Sequence, residues 1–107
     1  MKKTSGIIKS ILSEQILMNK TNLSKANSIC ENKNYTDAQK GQKIANLIFK
    51  SGRETSNNCT TVLKIVQAMG GNKKLADAVY DFFKNPYQVS EDHEVFAILD
   101  ELDAKID

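Results

Sequence analysis

Apolar residues recur at the helical period along most of this chain, and nowhere do they alternate as a half-buried strand requires. No Asn-Gly or Asp-Gly pair offers a hairpin turn either. The fold class is therefore all-α. Ile8, Ile11, Leu12 and Ile16 form the first stripe, on a helix expected over about 5–18. Leu23, Ala26, Ile29 and Cys30 form a second over about 21–32, after a break at Asn19–Thr21 and with Thr21 as N-cap.

The third helix has the clearest start. Thr36 followed by Gln39 is a capping box, in which the hydroxyl and the amide satisfy each other's backbone N–H. Gly41, Ile44, Ala45 and Ile48 line its face, widened by Leu47 and Phe49, and Ser51-Gly52 supplies a stop. A fourth helix from about 54 carries Cys59, Val62, Leu63, Val66 and Met69, and ends at Gly70-Gly71. Asn72 caps a fifth, with Leu75, Val79, Phe82 and Phe83 on its stripe, closed by Pro86. Ser90 caps a sixth, whose opening acids Glu91, Asp92 and Glu94 suit the positive end of the helix dipole; Val95, Leu99, Leu102 and Ile106 recur along it. The expectation is a six-helix antiparallel bundle.

At 107 residues the chain fits one domain, 1–107, and its 40% hydrophobic content is enough for an ordinary core. Cys30 and Cys59 are too few for a disulfide framework and are expected as buried free thiols in a reducing compartment. Met1-Lys2-Lys3 resembles a secretory n-region, but Lys9, Ser10, Ser13 and Glu14 break up any apolar segment behind it. No stretch approaches the length of a membrane span, so a cytoplasmic location is expected.

Enzyme signatures are missing from the sequence. His93 is the only histidine, so neither a His-based metal cluster nor a nucleophile–histidine–acid set has a second one to draw on. It is expected as an exposed surface residue. Gly70-Gly71-Asn72-Lys73-Lys74 lacks the spacing of a phosphate loop and is expected as a plain interhelix turn. No catalytic residue, cofactor, metal or small-molecule substrate is expected.

Charge order is more informative than charge total. The formal net charge is +2, yet residues 1–74 carry +9 and residues 75–107 carry −7. Three arrangements follow from this. The acidic last helices pack beside basic ones and neutralise them, or the two signs meet opposite faces of a partner, or the basic half faces nucleic acid or an acidic membrane. Against the last, Arg53 is the only arginine, and no aromatic residues interleave with the lysines as base-stacking platforms do.

Residues from about Ile11 to Met69 resemble a caspase-recruitment domain of the death-fold superfamily. The resemblance rests on Ile11-Leu12-Ser13-Glu14-Gln15-Ile16-Leu17 before the turn Met18-Asn19-Lys20, and on the short helix Leu23–Ile29. It continues through Asp37-Ala38-Gln39-Lys40-Gly41-Gln42-Lys43-Ile44 to Lys50-Ser51-Gly52, and Thr61–Val66 beyond. It implies a death-fold-like bundle and a non-enzymatic function: homotypic docking or assembly with another death-fold domain or with itself, as an adaptor or decoy inhibitor in apoptotic or innate-immune signalling. On that basis Lys40, Lys43, Lys50, Arg53 and Glu54 are candidate interface residues, with Asp100, Glu101 and Asp103 as counter-charges. The alternative is a small helical regulator of a microbe or its phage. It would inhibit a protein partner or bind nucleic acid through the basic N-terminal half.

Overall fold

Thr36 and Gln39 do form the expected capping box: the Thr36 Oγ accepts from the Gln39 N–H, and the Gln39 side chain accepts from the Thr36 N–H at 2.9 Å. From there one helix runs without a break to Ala68. The structure, a computed structural model, describes residues 4–106. Met1–Lys3, Asp107 and the side chains of Lys105 and Ile106 lie outside the described residues. Among the described residues there are four helices and no strand: α1 (Thr4–Glu31), α2 (Asp37–Ala68), α3 (Lys73–Phe83) and α4 (Glu94–Ile106).

The all-α class holds; six helices do not. The first two expected helices are the single α1, and the third and fourth are the single α2. The reason lies in what the breaking residues do. Asn19 is buried in mid-helix, the Thr21 hydroxyl donates to the Leu17 carbonyl, and the Ser51 hydroxyl donates back to Leu47 and Ile48. Each polar side chain is absorbed by a helix that continues past it. Gly52 keeps an ordinary helical backbone; among the described residues only Gly70 and Gly71 take positive φ, at 107° and 75°. Those two glycines end α2, with their N–H groups on the Gln67 and Val66 carbonyls. Asn72 then caps α3, as expected, by accepting from the Leu75 N–H.

The two kinds of glycine should answer substitution with opposite signs. Gly52→Ala finds open space for its Cβ and is expected to stabilise the protein by ~0.5–1 kcal/mol. Gly70→Ala must hold a positive φ and is expected to destabilise it by about 1–3 kcal/mol. Urea unfolding followed by far-UV circular dichroism reads both.

The core is confined to one end of the molecule. Ile8, Leu12 and Ile16 of α1 meet Val62 and Val66 of α2, Leu75, Val79 and Phe82 of α3, and Val95, Ile98 and Leu99 of α4. Phe82 is fully buried, with Phe83, His93 and Phe96 set edge-on around it at 5.3, 5.4 and 6.0 Å. Beyond this end nothing is enclosed: from Lys20 to Thr61 no residue is buried. The second half of α1 and the first half of α2 thus form an antiparallel hairpin arm, closed at its tip by residues 32–36. The 32 residues of α2 span about 48 Å, and the molecule measures 56 × 24 × 20 Å.

Two smaller expectations also change. Cys30 is exposed on the arm and Cys59 is half-buried; both are free thiols. Burial pushes the Cys59 thiol above its ordinary value, which keeps it protonated and a poor nucleophile. Ser90 does not cap the last helix. Its hydroxyl accepts from the Asp92 N–H in a short turn, and α4 opens four residues later at Glu94.

Candidate functional site

Where the arm leaves the core, a ladder of amides joins three segments. The Gln15 Nε2 donates to Asn19 Oδ1 at 3.1 Å and to Thr55 Oγ at 3.0 Å, while its Oε1 accepts from Asn58 Nδ2 at 3.2 Å. Asn19 Nδ2 donates to the Gln88 carbonyl at 2.9 Å, which pins the α3–α4 loop against α1. Further out, Asn22 Nδ2 donates to Ser51 Oγ at 2.9 Å. No buried side-chain polar atom among the described residues lacks a partner. A satisfied network fixes the arm's setting; greasy packing alone would leave its register loose.

Over this ladder lies a groove of about 260 Å³ between the arm and the α3–α4 loop. Its walls are largely apolar: Leu23 and Ala26 from α1, Ile44 and Ile48 from α2, and Pro86 and Tyr87 from the loop. Gly52 widens it, having no side chain to place there. The rim is exposed, with Ile48 at 49% and Tyr87 at 67% of full exposure; Phe49, 85% exposed, lies outside the lining. The stripes expected as core of the second and third helices are thus half-open walls. Their sequence signal was the thin supply of apolar partners between Lys20 and Thr61.

The expected basic residues all stand on the arm. Lys40, Lys43, Lys50 and Glu54 recur at spacings of three, seven and four, which puts them along one line of α2. Arg53 flanks that line and is exposed, as are Lys43, Lys50 and Glu54; Lys40 is half-exposed. Lys43 and Lys50 share a shallow hollow with Lys25 of α1, and Lys43 Nζ sits 4.6 Å over the Tyr35 ring. From Lys20 to Thr61 there are seven Lys or Arg and three Asp or Glu.

The acidic candidates are elsewhere. Asp100 lies 2.6 Å and Asp103 3.2 Å from Lys9 Nζ, and the Ser5 hydroxyl donates to Asp103. Lys9 is about 24 Å from Lys25 along the α1 axis. Two of the three counter-charges are therefore paired within the molecule, Asp103 half-buried and Asp100 still 70% exposed, while Glu101 is exposed. Internal neutralisation accounts for this one corner of the charge pattern and leaves the arm's lysines untouched.

The hydrogen bond that the Lys9 ammonium donates to Asp100 holds it above its ordinary value, against partial desolvation, with the Asp103 bond and both charges adding to it. A raised cation stabilises the fold fully below the ordinary lysine range and loses that contribution as pH climbs through the raised value. Lys9→Met is accordingly expected to cost up to ~1 kcal/mol at neutral pH. Urea titrations should show the gap between variant and wild type closing in strong alkali.

His93 corrects another expectation. Its side chain is only 10% exposed, with Nε2 at 2.9 Å from Asp81 Oδ2. Nδ1 accepts from the Val95 N–H at 3.0 Å, so the neutral ring carries its proton on Nε2 and donates to Asp81. The residue caps α4, ties it to α3 and lies edge-on to Phe82. The sequence signal was its place just before the apolar run that opens with Val95.

Arm, groove and separated charges offer recognition chemistry, and among the described residues no three metal-ligating side chains gather. No helix of the described chain is long and apolar enough to cross a membrane. No protein-family model, curated protein or solved structure matches the chain.

Proposed function

We propose that the chain is a non-catalytic protein-interaction module that docks through its basic arm on an acidic protein surface. One observation carries this reading: a stretch from Lys20 to Thr61 buries no residue, yet carries a lysine-rich line on one face and an apolar groove on another. Apolar side chains held half-open in this way are the kind of surface that a partner covers. The arm's lysines would speed and orient the encounter.

Homotypic docking on another death-fold domain, as adaptor or decoy, is the version that the caspase-recruitment resemblance suggests. Its support is the apolar spacing of Ile44–Ile48 and Thr61–Val66. The helix boundaries at Asn19 and Gly52 lend it none, since both lie inside continuous helices. Nucleic-acid binding draws on the same lysines but lacks arginine forks and stacking aromatics.

The test is capture by the immobilised chain, compared with a Lys43→Glu/Lys50→Glu/Arg53→Glu variant, with and without nuclease. Wild type is expected to hold a protein through nuclease treatment and release it between about 50 and 500 mM salt, as screening shortens. The charge-reversed variant is expected to capture nothing. Identical capture by both chains, or capture abolished by nuclease, would overturn the proposal.

A further inference from the structure

The shallow hollow between the two helices of the arm gathers polar side chains that the fold does not use. Ser24, Lys25 and Ser28 line it from α1, and Lys43, Asn46 and Lys50 from α2; the rest of its lining is apolar. Among the described residues, none of these six side chains makes a hydrogen bond or ion pair within the molecule. Lys43 alone has a partner, the Tyr35 ring under its ammonium. No acid lines the hollow. Glu54, one turn beyond Lys50, belongs to the neighbouring hollow with Glu14.

We propose that this hollow takes a phosphoryl group, a phosphate monoester carried by the partner protein. The inference rests on the docking reading above and names the chemistry of the acidic group that the arm meets. Three ammoniums around one hollow repel one another, and no carboxylate in the lining offsets them. A multivalent anion seated among them does. Lys43 and Lys50 stand seven residues apart, about 10 Å along the α2 axis, with Asn46 on the same face between them. Their flexible stems can bring both ammoniums to one group placed over Asn46, with Lys25 closing from α1. The donors on offer are three cations, two hydroxyls and an amide. A carboxylate brings one charge and two oxygens, which leaves most of them unanswered. A phosphate monoester brings close to two charges and three acceptor oxygens, and lysine meets it as a point charge. The cation held over Tyr35 is partly positioned before the anion arrives.

The probe is O-phosphoserine, titrated into the isotope-labelled full chain at fixed ionic strength, with glutamate as the carboxylate control. Amide shifts are expected to saturate at Ser24–Ser28 and Lys43–Lys50, with glutamate binding about tenfold more weakly or less. Lys25→Gln/Lys50→Gln is expected to lower phosphoserine affinity about tenfold, whereas Lys73→Gln/Lys74→Gln, an equal loss of charge away from the hollow, is expected to leave it within about twofold. All four lysines are exposed, so both variants should keep the circular dichroism spectrum of the wild type. Equal binding of glutamate and phosphoserine, shifts spread evenly over every lysine-bearing segment, or wild-type affinity in Lys25→Gln/Lys50→Gln would each overturn the proposal. In the capture experiment above, the retained protein is expected to be lost after phosphatase treatment. Protein held equally before and after phosphatase would overturn the phosphoryl inference and leave the docking reading standing; capture lost to nuclease would overturn both.

Discussion

Phe82→Ala is expected to lower the unfolding free energy by about 3–5 kcal/mol, the largest loss of any single truncation in this protein. The residue is fully buried in a core that occupies only one end of the molecule, and three rings lean edge-on against it. Their removal costs the transfer of the ring, the cavity left behind and the aromatic contacts together. Against a total stability on the order of 5–15 kcal/mol, such a loss takes the chain close to unfolding at body temperature. Thermal and urea melts would read it directly. A change below about 1 kcal/mol would mean that the core does not close around this ring.

Gln15→Leu is expected to cost about 2–3 kcal/mol even though it adds apolar surface to a buried site. The amide supplies both ends of the ladder that joins α1 to α2. Without it the buried Asn19 Oδ1 loses a donor and cannot turn to water, whereas half-buried Thr55 and Asn58 can. Removing both members together should cost less than the sum of the single changes, because the second deletion takes away the orphan created by the first. A urea-based double-mutant cycle with Asn19→Leu measures that coupling. Strict additivity would show that the two amides act independently.

These residues also mark where the fold could be read from the chain and where it could not. Caps and stops made by local chemistry were legible: Thr36 with Gln39, Asn72 before Leu75, and the glycine pair 70–71 each act within five residues of themselves. Asn19 was not. An asparagine amid polar neighbours ends a helix or sits buried inside one, and here the choice is made by Gln88, 69 residues away. Gly52 is similar, because a glycine stops a helix only where the backbone turns to positive φ. The basic residues of the candidate surface were legible as charges. That Asp100 and Asp103 would be held by Lys9 was not, for the contact joins the first helix to the last. Nor could the groove be seen, since the stripes of Leu23 and Ile44 look the same whether a core covers them or not.

The unbroken run of α1 and α2 from core to arm has a consequence for motion. Backbone amides in the same helix will exchange with solvent on two different clocks. Those near Leu12 and Val66 open only with global unfolding, while those between Lys20 and Thr61 need only the arm to fray or separate. Protection should fall off beyond the Gln15–Asn19 ladder on α1 and beyond Thr55 on α2, though no helix boundary is crossed at either point. Covering the arm would slow its amides toward those of the core, so the exchange pattern doubles as a footprint of whatever docks there.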